Sequence, residues 1–174
     1  MCAATTEPMD TGLSEKLRAH FALQLSGVLD DAYSLMVQTH VYHWNVRGPL
    51  FEPIHKLLQQ HYETLFETAD EIAERVRQLG FAAPVGAKTF PSGVKIPATM
   101  PDEDEMLADL LTRHEAALRK LRPLSADADE SQDFATQDLL NHMLAFHEKA
   151  AWRLRSILTS GPGRQPVRAV KSTS

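Results

Sequence analysis

Apolar side chains recur every three or four residues in four long stretches of the chain, a spacing that places them on one face of an α-helix. The first stretch begins after Ser14 or Thr11, either of which can cap it, and runs to about Asn45. The second covers residues 50 to 79, and Gly80 follows as a natural stop. The pattern therefore predicts two long helices joined by a short turn.

The second half of the chain contains the other two helical stretches. Residues 81 to 101 are rich in proline and glycine and predict a long connection without regular structure. Asp102 then opens a third helix, which we expect to reach about Leu121 and to be kinked or ended by Pro123. The acid-rich residues 125 to 133 predict a turn before the last helix.

The fourth helix begins after this turn, with Asp133 or Ser131 as its cap, and ends near Ser160. Two helices, a long crossover and two further helices are typical of a four-helix bundle with up-down-down-up connectivity. No strand pattern competes with the helical one. The predicted fold class is therefore all-α.

Composition and length predict one bundle with short tails. With 174 residues, 43% of them hydrophobic, the chain can bury one core, which we assign to residues 13 to 160. Residues 1 to 12 lack apolar periodicity and predict a flexible arm, and residues 161 to 174 predict a flexible basic tail. The net charge is −5, but the tail carries three positive charges and no acid, so the rest of the chain carries −8; the basic residues are Arg164, Arg168 and Lys171.

Cysteine and hydropathy patterns bear on the compartment. The only cysteine is Cys2, so the chain can form neither an internal disulfide nor a cysteine metal cluster. No apolar run approaches the ~20 residues that span a bilayer, and the first residues do not resemble a signal peptide. We expect a cytoplasmic protein without a membrane partner.

Residues 40 to 55, HVYHWNVRGPLFEPIH, place histidines on both sides of the first turn. His43 precedes the turn by about as many residues as His55 follows it, so both rings should lie at a similar height in the hairpin. On the second helix, His55, Asp70 and Glu74 share one face with Gln59, because their angles fall within about 100°. These side chains are the candidate metal ligands.

Distance along the second helix separates the two kinds of ligand. Asp70 lies fifteen residues beyond His55, which corresponds to about 22 Å, so one chain cannot gather both around one ion. A second chain, related by a two-fold axis, would bring its Asp70 and Glu74 to the histidines of the first. Mixed histidine and carboxylate ligation suits Fe(II), Mn(II) or Zn(II). The alternative is a bundle without metal, in which these are ordinary surface histidines and a solvated acidic face.

These residues resemble the DNA-protection-during-starvation (Dps) family of small ferritins. The resemblance rests on His43-Trp44-Asn45-x-x-Gly48, Phe51-x-x-x-His55, Asp70-x-x-Ala73-Glu74-Arg75 and Leu79-Gly80, with His147-Glu148-Lys149-x-x-Trp152-x-Leu154 in the last helix. It implies a hollow shell of twelve subunits whose ferroxidase sites straddle the two-fold interfaces. There Fe(II) would be oxidised, characteristically by hydrogen peroxide, and the ferric product stored as mineral.

Carried over to this chain, the resemblance makes His43 and His55 ligands from one subunit and Asp70 and Glu74 ligands from its neighbour. The family usually has an acid four residues after the second histidine, where this chain has Gln59. An amide carbonyl is a weaker ligand than a carboxylate, and Glu52, one turn to the other side of His55, is a candidate substitute. The alternative function is thus a DNA-binding shell that coats the nucleoid and has an impaired iron site.

Further residues have both a family role and an ordinary one. Trp44 would lie beside the iron site, where it takes up an oxidising equivalent or packs. Asp133 and Asp138 would line the three-fold pore through which iron enters, although Asp133 can also simply cap the last helix. The basic tail would bind DNA phosphates, or serve as a solubilising end.

Three further histidines suggest no partner by spacing: His61, His114 and His142. His147 matches the family pattern, and we expect a structural role for it.

Overall fold

The computed structural model describes residues 9 to 83 and 99 to 159. The helices are α1 (Glu15–Asn45), α2 (Phe51–Gln78), α3 (Glu103–Glu130) and α4 (Phe134–Thr159). The described residues contain no strand, so the prediction of an all-α four-helix bundle is confirmed. Most of the predicted connection, the N-terminal arm up to residue 8 and the basic tail lie outside the described residues. No described helix is both long and apolar enough to cross a membrane.

The helices pair as the order along the chain suggests. α1 packs extensively along α2, and α3 along α4, whereas α1 meets α3, and α2 meets α4, over fewer residues. Two apolar clusters fill the interior, one around Phe21, Ile72 and Leu140 and the other around Leu58 and Leu107. The two ends of the bundle therefore have separate apolar packing.

Local interactions set the ends of the helices. The Ser14 hydroxyl accepts a hydrogen bond from the Leu17 amide at 3.3 Å, so Ser14 is the cap of α1. Asp102 forms a capping box with Glu105 at the start of α3. Gly80 follows α2 with φ of +92°, a conformation that favours glycine.

The prediction that the third helix ends near Leu121 is wrong. α3 continues through Pro123 to Glu130, and the predicted acidic turn shrinks to the few residues around Gln132, whose φ is +58°. A proline inside a helix costs about 3 kcal/mol because it removes one hydrogen bond and crowds the preceding turn. Leu124 and Ala128, which follow it, are buried in the core, and burial of a leucine alone contributes about 1.5 to 3 kcal/mol. Burial therefore offsets the local penalty.

Candidate iron site

The hairpin between α1 and α2 brings His43 and His55 into direct contact. Their ring centroids are 3.7 Å apart with an interplanar angle of 19°. The Nδ1 of His43 lies 2.9 Å from the His55 carbonyl oxygen, and the Nδ1 of His55 lies 2.9 Å from the His43 carbonyl oxygen. The proximity predicted from residue counting is thus confirmed.

This reciprocal hydrogen bonding determines the tautomer of both rings. A carbonyl oxygen can only accept, so each Nδ1 carries the proton and donates it. Each Nε2 is then left with an unprotonated lone pair, the form of imidazole that binds a metal ion. The main chain of one helix orients the ring of the other, and His43 is only 7% exposed.

Aromatic side chains surround the histidine pair. His40 stacks on Tyr62 with centroids 4.2 Å apart and touches Trp44 at 4.1 Å. Burial, and secondarily the electrostatic effect of the neighbouring His43, lowers the pKa of His40. Trp44 is 64% exposed. The alternative that Trp44 simply packs is therefore supported only by its contact with the His40 ring.

The candidate acids lie on the exposed side of α2, away from the histidines. Both Asp70 and Glu74 are exposed, and neither makes an ion pair within the described part of the chain. Within residues 9 to 83 and 99 to 159, no group of three or more His, Cys, Asp or Glu side chains is arranged to hold a metal ion. A single described chain therefore contains two ligand groups at different heights and no complete site.

Gln59 and Glu52, the candidate substitute for the acid missing at position 59, each contact a side chain one turn away on α2. The Nε2 of Gln59 donates to the Glu63 carboxylate at 2.8 Å, which leaves the Gln59 carbonyl oxygen as its remaining acceptor. Glu52 pairs with Lys56 at 2.8 Å, and this hydrogen bond and charge lower the pKa of Glu52. Gln59 thus presents a neutral oxygen where the resemblance to the Dps family led us to expect a carboxylate.

The two candidate pore acids have different environments. Asp133 is 3% exposed, and its carboxylate accepts from Arg75 at 2.6 Å and from the backbone and hydroxyl of Thr136 at 3.1 and 2.6 Å. Its predicted capping of α4 is confirmed, and its oxygens are used within the chain. Asp138 is 76% exposed and lies 3.6 Å from His142.

His61 and His114, which suggested no partner, lie together with His147 in the interior. The Nδ1 atoms of His114 and His147 are 2.8 Å apart, and the His61 ring lies 5.4 Å from that of His114. Burial lowers the pKa of His61 and of His147 to about 4, and that of His114 well below its usual range. All three are therefore neutral at pH 7. The sequence did contain a signal of this burial, because each histidine lies three or four residues from a buried leucine or methionine. His61, for example, follows Leu58 by three residues and precedes Leu65 by four.

Comparison with known proteins agrees with the four-helix fold. Residues 22–162 match the family model described as a ferritin-like domain. DpsC from Streptomyces coelicolor has a similar structure, with a TM-score of 0.83 and 30% identity over 92% of this chain and 95% of that one. The chain thus has a ferritin-like fold.

Two sequence relatives identify the protein family within the ferritin-like fold. A low temperature-induced protein of Nostoc sp. is 38% identical, with 94% of this chain and 96% of the relative covered. A DNA protection during starvation protein of Brevibacillus brevis is 30% identical, with 71% of this chain and 85% of the relative covered. The chain belongs to the Dps family. This membership associates it with iron storage and DNA protection in general.

Proposed function

We propose that this protein is a mini-ferritin that oxidises Fe(II) at sites shared between two subunits and stores the ferric product. The observation that carries the proposal is the pair of His43 and His55 rings, both held with free Nε2 lone pairs. Exposed Asp70 and Glu74 on the same helix supply the carboxylates that a two-fold neighbour would contribute. Iron is the substrate and the cargo of this reaction.

The chemistry needs an electron acceptor and a negative environment. Two Fe(II) ions lose one electron each, and hydrogen peroxide accepts both electrons with two protons to give water. The imidazoles bind the ion as neutral ligands, while Asp70 and Glu74 stabilise the additional positive charge of Fe(III). Gln59 contributes no charge, which favours a weaker second iron position.

Mixed assemblies test whether the site is shared. One variant carries His43→Ala and His55→Ala, and the other carries Asp70→Ala and Glu74→Ala. Each alone should oxidise Fe(II) with peroxide no faster than buffer in stopped-flow absorbance. Co-assembled, they should recover activity, because one of the two sites in each mixed dimer is intact. Absence of recovery in verified mixed assemblies would refute a shared site, and Glu71→Ala, an exposed neighbour, is the control for loss of an acid.

Gln59 offers a gain-of-function test. Gln59→Glu should tighten Fe(II) binding by about tenfold, because it adds a charged ligand four residues from His55. Gln60→Glu adds the same charge on another face of α2 and should leave binding unchanged. Equal effects of both substitutions would show that only overall charge matters.

The assembly we propose is a homo-dodecameric shell with Asp138 at the iron entry pore. Native mass spectrometry should give twelve times the 19.4 kDa chain mass. A monomer would contradict the shared site. In the intact shell, Asp138→Asn should slow iron uptake, and the matched Glu71→Gln should not.

DNA association through the tail is the second candidate function, and the three charges of Arg164, Arg168 and Lys171 favour it. Twelve copies would bind phosphates with avidity, and the affinity would fall steeply with salt. For this second function we expect the protein to lie in the cytoplasm, associated with the nucleoid. Deleting residues 161 to 174 should abolish the gel shift of duplex DNA. An unchanged shift would exclude the tail, and full DNA binding without Fe(II) oxidation would favour the nucleoid-coating alternative.

A further inference from the structure

A histidine and an aspartate face each other on the exposed side of α4. The Nδ1 of His142 lies 3.6 Å from the Oδ2 of Asp138, four residues earlier in the helix, and each side chain is 76% exposed. Residues four apart in an α-helix lie one above the other on the same face. Neither side chain forms a hydrogen bond within the part of the chain that the structure describes. Both are therefore open to a ligand.

The distance between the two atoms indicates the kind of ligand. A separation of 3.6 Å is too long for a hydrogen bond, which joins nitrogen and oxygen at about 2.7 to 3.2 Å. Zn²⁺ binds an imidazole nitrogen and a carboxylate oxygen at about 2.1 Å each, and at a tetrahedral angle these two atoms stand about 3.4 Å apart. The His142 and Asp138 atoms thus have nearly the spacing of two ligands on one metal ion. An ion between them would bind a lone pair of each atom without moving the helix.

A second histidine–aspartate pair provides a contrast. The Nε2 of His20 on α1 lies 2.7 Å from the Oδ2 of Asp127 on α3. This distance is that of a hydrogen bond, and the two atoms are too close to hold an ion between them. The same residue types therefore differ in the space they leave, which makes His20 a matched control.

The ligand types select the class of ion. An imidazole nitrogen combined with a carboxylate oxygen suits transition-metal ions such as Zn²⁺, whereas Mg²⁺ and Ca²⁺ prefer oxygen ligands alone. With a neutral imidazole, the pair carries the negative charge of Asp138 and attracts a cation. Ala135 and Ala145, the exposed residues three positions beyond Asp138 and His142 on either side, add neither charge nor bulk. The remaining coordination positions of the ion are thus accessible to water.

The pair lies away from the candidate iron site. Leu139 and Met143, beside the pair on α4, belong to the apolar cluster at one end of the bundle. Ile54, beside His55, belongs to the cluster at the other end. A metal ion bound by the pair is therefore distinct from iron at the candidate site.

We propose that Asp138 and His142 chelate a divalent transition-metal ion of the Zn²⁺ type. Both ligands belong to one chain, so the site needs no second subunit and does not rest on the proposed ferroxidase function. Nitrogen and oxygen ligands generally bind Zn²⁺ more tightly than Fe(II). The site therefore favours an ion other than the proposed substrate.

Isothermal titration with Zn²⁺ tests the proposal on the full chain without a purification tag, carrying His43→Ala and His55→Ala to remove the candidate iron ligands. One Zn²⁺ per chain should bind at this site, and Mg²⁺ in excess should not displace it. In this background Asp138→Asn and His142→Gln should each weaken Zn²⁺ binding by about tenfold or more, because the second ligand of a chelate binds intramolecularly. His20→Gln should leave the affinity unchanged.

A charge-matched variant separates chelation from simple attraction. Asp138→Asn combined with Ala135→Asp keeps the net charge but moves the carboxylate two turns from His142, about 10 Å along the helix. Its affinity for Zn²⁺ should stay as low as that of Asp138→Asn alone, and a recovery to the parent affinity would overturn the proposal.

Two further outcomes would also overturn it. Absence of saturable Zn²⁺ binding would do so, and equal binding by all the variants would indicate an adventitious ion only. The substituted side chains on α4 are exposed, so these variants should fold as the parent does, which circular dichroism checks. The titration contains no iron, so its result is independent of Fe(II) oxidation.

Discussion

Lowering the pH from 7 to 4.5 should destabilise the bundle through its buried histidines, and His147 gives the clearest case. Burial lowers its pKa to about 4, against 6.5 for the unfolded chain. The unfolded chain therefore binds the proton more readily than the folded one. Stability is fully present above pH 6.5 and falls as the pH drops from 6.5 towards 4.

The size of the effect follows from that difference in pKa. Each pH unit of difference corresponds to about 1.4 kcal/mol. With a pKa of about 4 in the folded state, the free energy of unfolding should fall by roughly 3 kcal/mol between pH 6.5 and pH 4. Over this range His147 is protonated in the unfolded chain but still largely neutral in the folded one. Most of this loss, roughly 2 to 3 kcal/mol, should have occurred at pH 4.5.

Urea unfolding, followed by circular dichroism at fixed protein concentration, measures this loss. Carboxylates also titrate in this range, so the informative quantity is the difference between variants. His147→Gln lacks the titrating ring and should lose roughly 2 kcal/mol less than the wild type between pH 7 and 4.5. His142→Gln changes an exposed histidine of the same helix and should follow the wild type. If His147→Gln lost as much stability as the wild type, burial of His147 would not be the cause.

Two further predictions concern stability at pH 7. Asp133→Asn should cost about 3 kcal/mol, because it removes a buried carboxylate and leaves the partly buried Arg75 without its counter-charge. Asp138→Asn at the exposed position should cost less than about 0.5 kcal/mol; thermal unfolding compares the two variants, and equal costs would contradict the role of the Arg75–Asp133 pair. Gly80→Ala should destabilise by about 1 to 2 kcal/mol, because φ is +92° and the new Cβ would lie 2.7 Å from the Met9 sulfur. Gly27→Ala, inside α1 with only an ordinary 3.7 Å contact, should instead stabilise by about 0.5 to 1 kcal/mol; the opposite order of the two variants in urea unfolding would refute this account.

Several parts of the fold and of the candidate site could be predicted from the sequence, because they depend only on residue spacing and on the chemistry of neighbouring side chains. The heights of His43 and His55 in a hairpin follow from their distances to the turn, and the rings indeed touch. The caps at Ser14 and Asp102 follow from side-chain chemistry alone. The acids Asp70 and Glu74 differ, since their predicted partners lie on another chain.

Other features depend on packing that no local rule contains. The continuation of α3 past Pro123 results from burial of Leu124. The sequence predicts the penalty of the proline, but it does not predict which of the following side chains are buried. The contact of His114 with His147 requires the relative rotation of α3 and α4. Their spacing among leucines indicates the core, but it does not distinguish a hydrogen-bonded pair from two isolated rings.

The exchange of hydrogen bonds between His43 and His55 makes the two candidate ligands separable in an experiment. Each ring is held by a main-chain carbonyl, and every amino acid supplies that carbonyl. In His43→Ala the His55 ring therefore keeps its acceptor at residue 43, and in His55→Ala the His43 ring keeps its acceptor at residue 55. Removing one ring thus removes the stacking contact but keeps the hydrogen bond that orients the other ring, so the two candidate ligands can be tested one at a time.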